Sequence, residues 1–248
     1  MSLPFDLSAG AALYMAVALL VAAFVRGYSG FGFAALVVSA ASLVMNPLLV
    51  VPMVLLVDAA MSLQQARGIW RDIAWSRVWG LFVGALIGVP VGIWAMTAVG
   101  VEAARAMISV YVLAMCGLLM AGFHFAKPVG HLPHLGVGVV SGVANAAALG
   151  GLPVAVFFAA QPVRAAVFRG TLIAYFTLLD LWSIPLMARA GMISRETLLA
   201  AVLVLPILIL GIWAGGRHFL RAEPQNFRKM TIWLLVVLAG LGLLKSVV

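Results

Sequence analysis

Two carboxylates and an arginine stand where charge is costly. Asp58 is alone within an apolar run at 48–66, Asp180 lies in another at 164–188, and Arg26 follows a third at 8–25. A charged side chain at the centre of a lipid-embedded helix costs roughly 2.5–3.5 kcal/mol on insertion scales, so it should face the protein interior and have a partner or a task. Two readings stand for each aspartate: a proton-carrying carboxylate, or an interhelical hydrogen bond. Arg26 opens the first of two glycine-rich interruptions, Arg26-Gly27-Tyr28-Ser29-Gly30-Phe31-Gly32-Phe33. The second runs from Ser141-Gly142 through Asn145 to Gly150-Gly151-Leu152-Pro153. Glycine and proline at this density break a helix, and freed backbone groups must then be buried in protein or line a wet cavity. The plainer reading is tight helix packing.

Broken segments also create helix N-termini. The chain resumes near Phe33 and near Leu152, and the first turn of each new helix presents unpaired N–H groups carrying roughly half a unit of positive charge. Such ends favour a small oxyanion, without a dedicated buried cation. The candidate binding residues are therefore Arg26, Ser29, Gly30, Phe31 and Gly32 at the first break, with Asn145, Gly150 and Gly151 at the second. Gln64, Gln65, Tyr175 and Thr177 on the following helices either complete a polar wall or hold helices together. Asp58 and Asp180 are the coupling candidates. Arg169, about two turns into its helix, reads as an arginine snorkelling to the boundary.

The elements that hold these residues are membrane helices. Of 248 residues, 65% are hydrophobic and 9% charged, which excludes a soluble globule and a disordered chain alike. The apolar runs are 8–25, 33–45, 48–66, 75–98, 102–125, 135–147, 153–160, 164–188, 196–216 and 230–247, most of them long enough to cross a bilayer. The start MSLPFDLSAG has no basic leader, so the first run is expected to be retained. A net charge of +8 sits mostly between the runs, where it sets topology and meets anionic lipid; nucleic acid is not expected. The single cysteine, Cys116, allows no disulfide framework, and His124, His131 and His134 match no metal-ligand spacing, so neither metal nor cofactor is expected. Trp70, Trp75, Trp79, Trp182 and Trp233 read as interfacial anchors.

An internal duplication is visible. Ser29-Gly30 recurs as Ser141-Gly142, Asn46-Pro47 as Gln161-Pro162, Gly92-Ile93-Trp94-Ala95 as Gly211-Ile212-Trp213-Ala214, and Arg105-Ala106-Met107 as Arg228-Lys229-Met230. The first repeat covers 1–125, a broken segment at 8–45 plus three helices; the second covers 126–248, a broken segment at 135–160 plus three helices. The repeat sets Asp180 opposite Gln65, so the aspartates are not mates. If each broken segment crossed once, the basic residues would divide evenly between the two sides. If each turns back, Arg67, Arg71, Arg77, Lys127, Arg164, Arg169, Arg217, Arg221, Arg228 and Lys229 gather on one side. The positive-inside rule needs an asymmetry, so the expectation is an all-α polytopic protein of two inverted repeats with re-entrant segments, its basic side cytoplasmic. Gly80, Gly84, Gly88 and Gly92 form a ridge, echoed by Gly211 and Gly215, which serves packing within the chain or a homodimer.

The run Gly27-Tyr28-Ser29-Gly30-Phe31-Gly32, the counterpart Ser141-Gly142 with Gly150-Gly151 and Pro153, and the two matched halves resemble the TauE/SafE sulfite exporter family of membrane permeases. The likeness spans nearly the whole chain. Where the family usually carries a denser glycine cluster, this sequence has Val143-Ala144-Asn145-Ala146-Ala147-Ala148. The resemblance implies a multi-pass secondary transporter of the cell inner membrane that moves sulfite or organosulfonates such as sulfoacetate. Two other classes stay open: an intramembrane enzyme with Asp58 and Asp180 as paired acids, and a channel or assembly subunit. No Walker loop, HExxH helix or nucleophile elbow is present.

Overall fold

The computed structural model describes residues 4–66, 69–125 and 129–219, with positions 233, 236 and 237. The expected last span and the Arg228-Lys229-Met230 landmark lie outside them. Among the described residues the regular structure is helical. The helices are α1 (Ala9–Ser29), α2 (Phe33–Val44), α3 (Pro47–Ala66), α4 (Trp75–Thr97), α5 (Val101–Met120), α6 (His131–Asn145), α7 (Gly151–Ala159), α8 (Ala165–Arg189) and α9 (Arg195–Phe219). Six of them are long and apolar enough to span a bilayer: α1, α3, α4, α5, α8 and α9. This is a multi-pass membrane protein.

Both breaks are shorter than the glycine runs that announce them. Arg26 to Ser29 remain helical, and the chain turns only at Gly30–Gly32, where Gly30 (φ 81°) and Gly32 (φ 92°) take the left-handed conformation that side chains resist. Ser141-Gly142 also stay inside a helix; α6 runs on to Asn145, and the second break is 146–150. Pro153 falls in the first turn of α7, where its missing N–H is no loss. Gly27 and Gly142 have another use. A Cβ on Gly27 would strike the Ile212 carbonyl of α9, and one on Gly142 would come within 2.8 Å of the Val89 nitrogen of α4. They are contact points between helices.

These contacts follow a pattern. On α4, a Cβ at Gly84, Gly88 or Gly92 would meet the carbonyls of Leu135, Val139 and Val143 in turn, so α4 and α6 run parallel at backbone contact. On α9, Gly211 packs on Leu20 and Ala23, and Gly215 on Phe24, so α9 and α1 are parallel too. The glycine ridge is therefore consumed within the chain, each half giving its ridge to the other half's first helix. Gly80, at the end of the ridge, is half-buried.

The remaining directions come from side chains. Met45, Val50 and Met53, at the α2–α3 junction, share a cavity with Met15 and Leu19 from the first half of α1, while the start of α2 lies level with Arg26 at the end of α1. Hence α2 runs back along α1, and α3 returns parallel to it. In the second half, Phe157 of α7 stacks on His134 at the start of α6, with ring centroids 4.9 Å apart, so α7 also runs back. Tyr175 pairs with Ser141 and Ser183 with Asn145, which makes α8 parallel to α6. Across the halves, Arg169 reaches Gly27 while Phe176 faces Arg26, so α8 opposes α1.

Candidate functional site

The two breaks face one cavity. The start of α2 contributes Gly32, Ala34 and Ala35; the second break and the start of α7 contribute Ala148, Leu149, Gly151 and Leu152. Both helix N-termini thus open on the same space, although at α7 Pro153 has no N–H and Leu152 donates to the Leu149 carbonyl at 3.2 Å. Arg26 and Asp58 come in from α1 and α3, Asn145 from the end of α6, and Phe176 and Asp180 from α8. About 20 Å³ of the cavity is free for the centre of a water-sized sphere, enough for a water molecule.

Arg26 is the centre of the site. Its side chain is 2% exposed; Nε lies 3.1 Å from Asp58 Oδ1, a terminal nitrogen donates to Ser62 Oγ at 2.7 Å, and the guanidinium sits 5.6 Å from the centroid of Phe176. Asp58 and Ser62 are one turn apart on α3 and present one face, so a single arginine engages both. Asp180 comes from the other half of the chain and, buried like Asp58, lines the same cavity. Asp180 Oδ2 has no hydrogen-bond partner. The cation expected at the first break, Arg26, is buried here because α1 stays helical past it.

The other candidates divide by role. Ser29 braces the first break, its Oγ 2.8 Å from the carbonyl oxygens of Val25 and Phe31. Tyr175 and Ser141 brace the second: the tyrosine donates to Ser141 Oγ at 2.8 Å, and that hydroxyl donates to the Gly150 carbonyl at 2.6 Å. Asn145 lines the cavity and donates to Ser183 Oγ at 2.9 Å. Phe31 is buried and meets Phe168 edge-on, while Gly30 lies against the Arg169 side chain. Gln65 is buried on α3, both ends of its amide unpaired. Gln64 is exposed and is not brought to the cavity, because it sits on the outer side of α3. Thr177 turns its hydroxyl back to the Ile173 carbonyl.

Two residues outside that candidate set belong here. Ser62 is fully buried on the guanidinium, and its spacing from Asp58 was the available signal. Arg169 donates to the Gly27 carbonyl at 2.8 Å, a cation on the C-terminal turn of α1.

A helical membrane bundle with two broken segments meeting at a charged interior cavity defines the class: a polytopic membrane protein with a buried polar site. The chain belongs to the TauE/SafE sulfite exporter family, a transporter family, since the model described as Sulfite exporter TauE/SafE matches residues 14–241. No curated protein and no solved structure matches it.

Proposed function

We propose that this protein is a secondary transporter of small sulfur-containing anions, sulfite or organosulfonates such as sulfoacetate, in the cell inner membrane. The observation that carries this reading is the convergence of two helix N-termini and the Arg26 guanidinium on one buried cavity. Fixed amides and a planar fork of N–H donors match the oxygens of a sulfite or sulfonate head. A membrane interior excludes competing water, so the same donors act more strongly there than at a surface.

The halves form inverted repeats whose broken segments are re-entrant. Supporting this are the return of α2 beside α1 and of α7 beside α6, and the opposed directions of α1 and α8. Alternating access follows from that symmetry: each face of the membrane offers one hairpin, and the anion waits where the tips meet.

A thermal-shift screen of purified protein against sulfite, methanesulfonate, sulfoacetate, taurine, sulfate and small carboxylates tests the substrate class. The expected result is a raised melting temperature with the sulfur oxyanions and less with carboxylates, because ligand bound to the native state stabilises it by mass action. A protein indifferent to every anion would remove the site.

The shared cavity of Asp58 and Asp180 also favours a second reading, an intramembrane enzyme with a carboxyl dyad. Against it, a guanidinium occupies Asp58. Turnover of a lipid or peptide in detergent would revive it.

A further inference from the structure

We infer that the site carries one proton with each negative charge of its substrate, because the anion and Asp58 compete for the same guanidinium. This rests on the reading of the cavity as an anion site and adds its coupling. Three ionisable groups meet there: Arg26 from α1, Asp58 from α3 and Asp180 from α8. With both carboxyls ionised the cluster is negative by one unit, and two carboxylates buried on one small cavity with a single guanidinium do not both stay ionised. The empty site is therefore neutral, with Arg26 cationic, one carboxylate in the ion pair, and one proton held between the two carboxyl groups.

An anion entering this cavity meets a cation already in use. Its oxygens reach the guanidinium only if Asp58 lets go, and a released buried carboxylate beside an anion costs several kcal/mol unless it takes up a proton. The balance is explicit. The Asp58–Arg26 ion pair breaks, a proton from water joins the freed carboxylate, and the anion pairs with Arg26. The loaded site holds one guanidinium, one monoanion and two carboxylic acids, and is neutral again.

Neighbouring groups do not alter the count. Helix ends are dipoles with no net charge. Tyr175 on α8 donates to Ser141, Tyr111 of α5 lies beyond it, and Asn145 of α6 and Ser62 of α3 are neutral. Arg169 keeps its place on the Gly27 carbonyl, outside the cavity lining, in both states, and a guanidinium does not give up its proton. Transport of a monoanion is thus electroneutral, driven by a pH difference and blind to membrane potential.

Proteoliposomes test this with methanesulfonate, which stays a monoanion throughout the working pH range and has no permeant neutral form. For the wild type, an interior more alkaline by one unit should drive about tenfold accumulation, unchanged by a valinomycin-clamped potential of either sign. Asp58→Asn with Asp180→Asn should lose that response and accumulate the anion about fiftyfold at 100 mV interior positive. Potential-driven, pH-indifferent uptake by the wild type overturns the proposal, and it needs no variant to fold. So does absence of uptake when methanesulfonate still raises the melting temperature. Failure of every sulfur oxyanion to shift that temperature is a different outcome, which removes the anion site itself.

Discussion

At the scale of single residues, the site is held by one ion pair that both sides need. Arg26 and Asp58 are 2% and 7% exposed, so removal of either leaves the other charged and buried. Arg26→Gln should cost about 3–5 kcal/mol of stability, whereas Arg26→Gln combined with Asp58→Asn should recover most of it. Arg26→Lys keeps the charge but lacks the planar fork that engages Asp58 and Ser62 together. It should remain folded and bind anions about tenfold more weakly or worse, since a charge-assisted hydrogen bond contributes roughly 1.5–3 kcal/mol. Thermal melts with and without sulfite separate these outcomes; a Lys variant with unchanged affinity would move the binding site away from the guanidinium. Arg26, Asp58 and Asp180 were each legible as singular charges in apolar runs. Their meeting was not, because nothing local sets a side chain of α8 beside one of α3. Ala148 shows the same limit from the other direction: it holds φ 56°, a conformation that costs an alanine roughly 1–2 kcal/mol, where sequence marks only a run of small residues.

At the scale of helices, glycine does two jobs that look alike in sequence. Gly30 and Gly32 are required by backbone conformation, Gly27, Gly88 and Gly215 by the backbone of a neighbouring helix, and Gly117 and Gly136 by neither, since a Cβ there would meet nothing within 4 Å. Alanine substitution should sort them. Gly88→Ala and Gly215→Ala force carbonyl contacts apart and should each destabilise by about 1–3 kcal/mol. Gly136→Ala and Gly117→Ala should be neutral or stabilising by up to about 1 kcal/mol, because alanine loses less freedom in a helix. Melting temperatures of the four variants check the division, and a stable Gly88→Ala would contradict the backbone-contact geometry between α4 and α6. This is why the breaks are shorter than the glycine runs: Gly27 and Gly142 follow the packing reading and thin the chain for a partner helix. The long runs gave α3, α4, α8 and α9 nearly to the residue, since length and hydropathy suffice for a helix in lipid.

At the scale of the whole molecule, the halves read as repeats interlock: neither packs as a body apart from the other. Backbone-tight contacts join α1 to α9 and α4 to α6, each linking one repeat with the other, while the functional groups gather between α1, α3 and α8. A motion that slid the first repeat against the second would shear both glycine contacts, where a shift of a single ångström puts backbone into backbone. Under the proposed alternating access, the contact pattern favours rocking of the α1–α9 pair against the α4–α6 pair, with α2 and α7 carried along. Sequence repeats reported the duplication but not this exchange, because the landmarks record which residues correspond and not which ones touch. The exchange has a consequence for folding. Residues 1–125 alone would expose the face of α1 that α9 covers and the ridge of α4 that fits α6, and residues 126–248 would expose the complements. Close packing, and not hydrophobicity, drives association in lipid, so neither half has a partner of its own for these faces. Expressed separately, the halves should be lost to proteolysis. Expressed together from two genes, they should co-purify through a tag on either one and restore methanesulfonate uptake. Recovery of a stable, folded 1–125 by itself would mean that the crossed contacts are dispensable and that each repeat closes on its own helices.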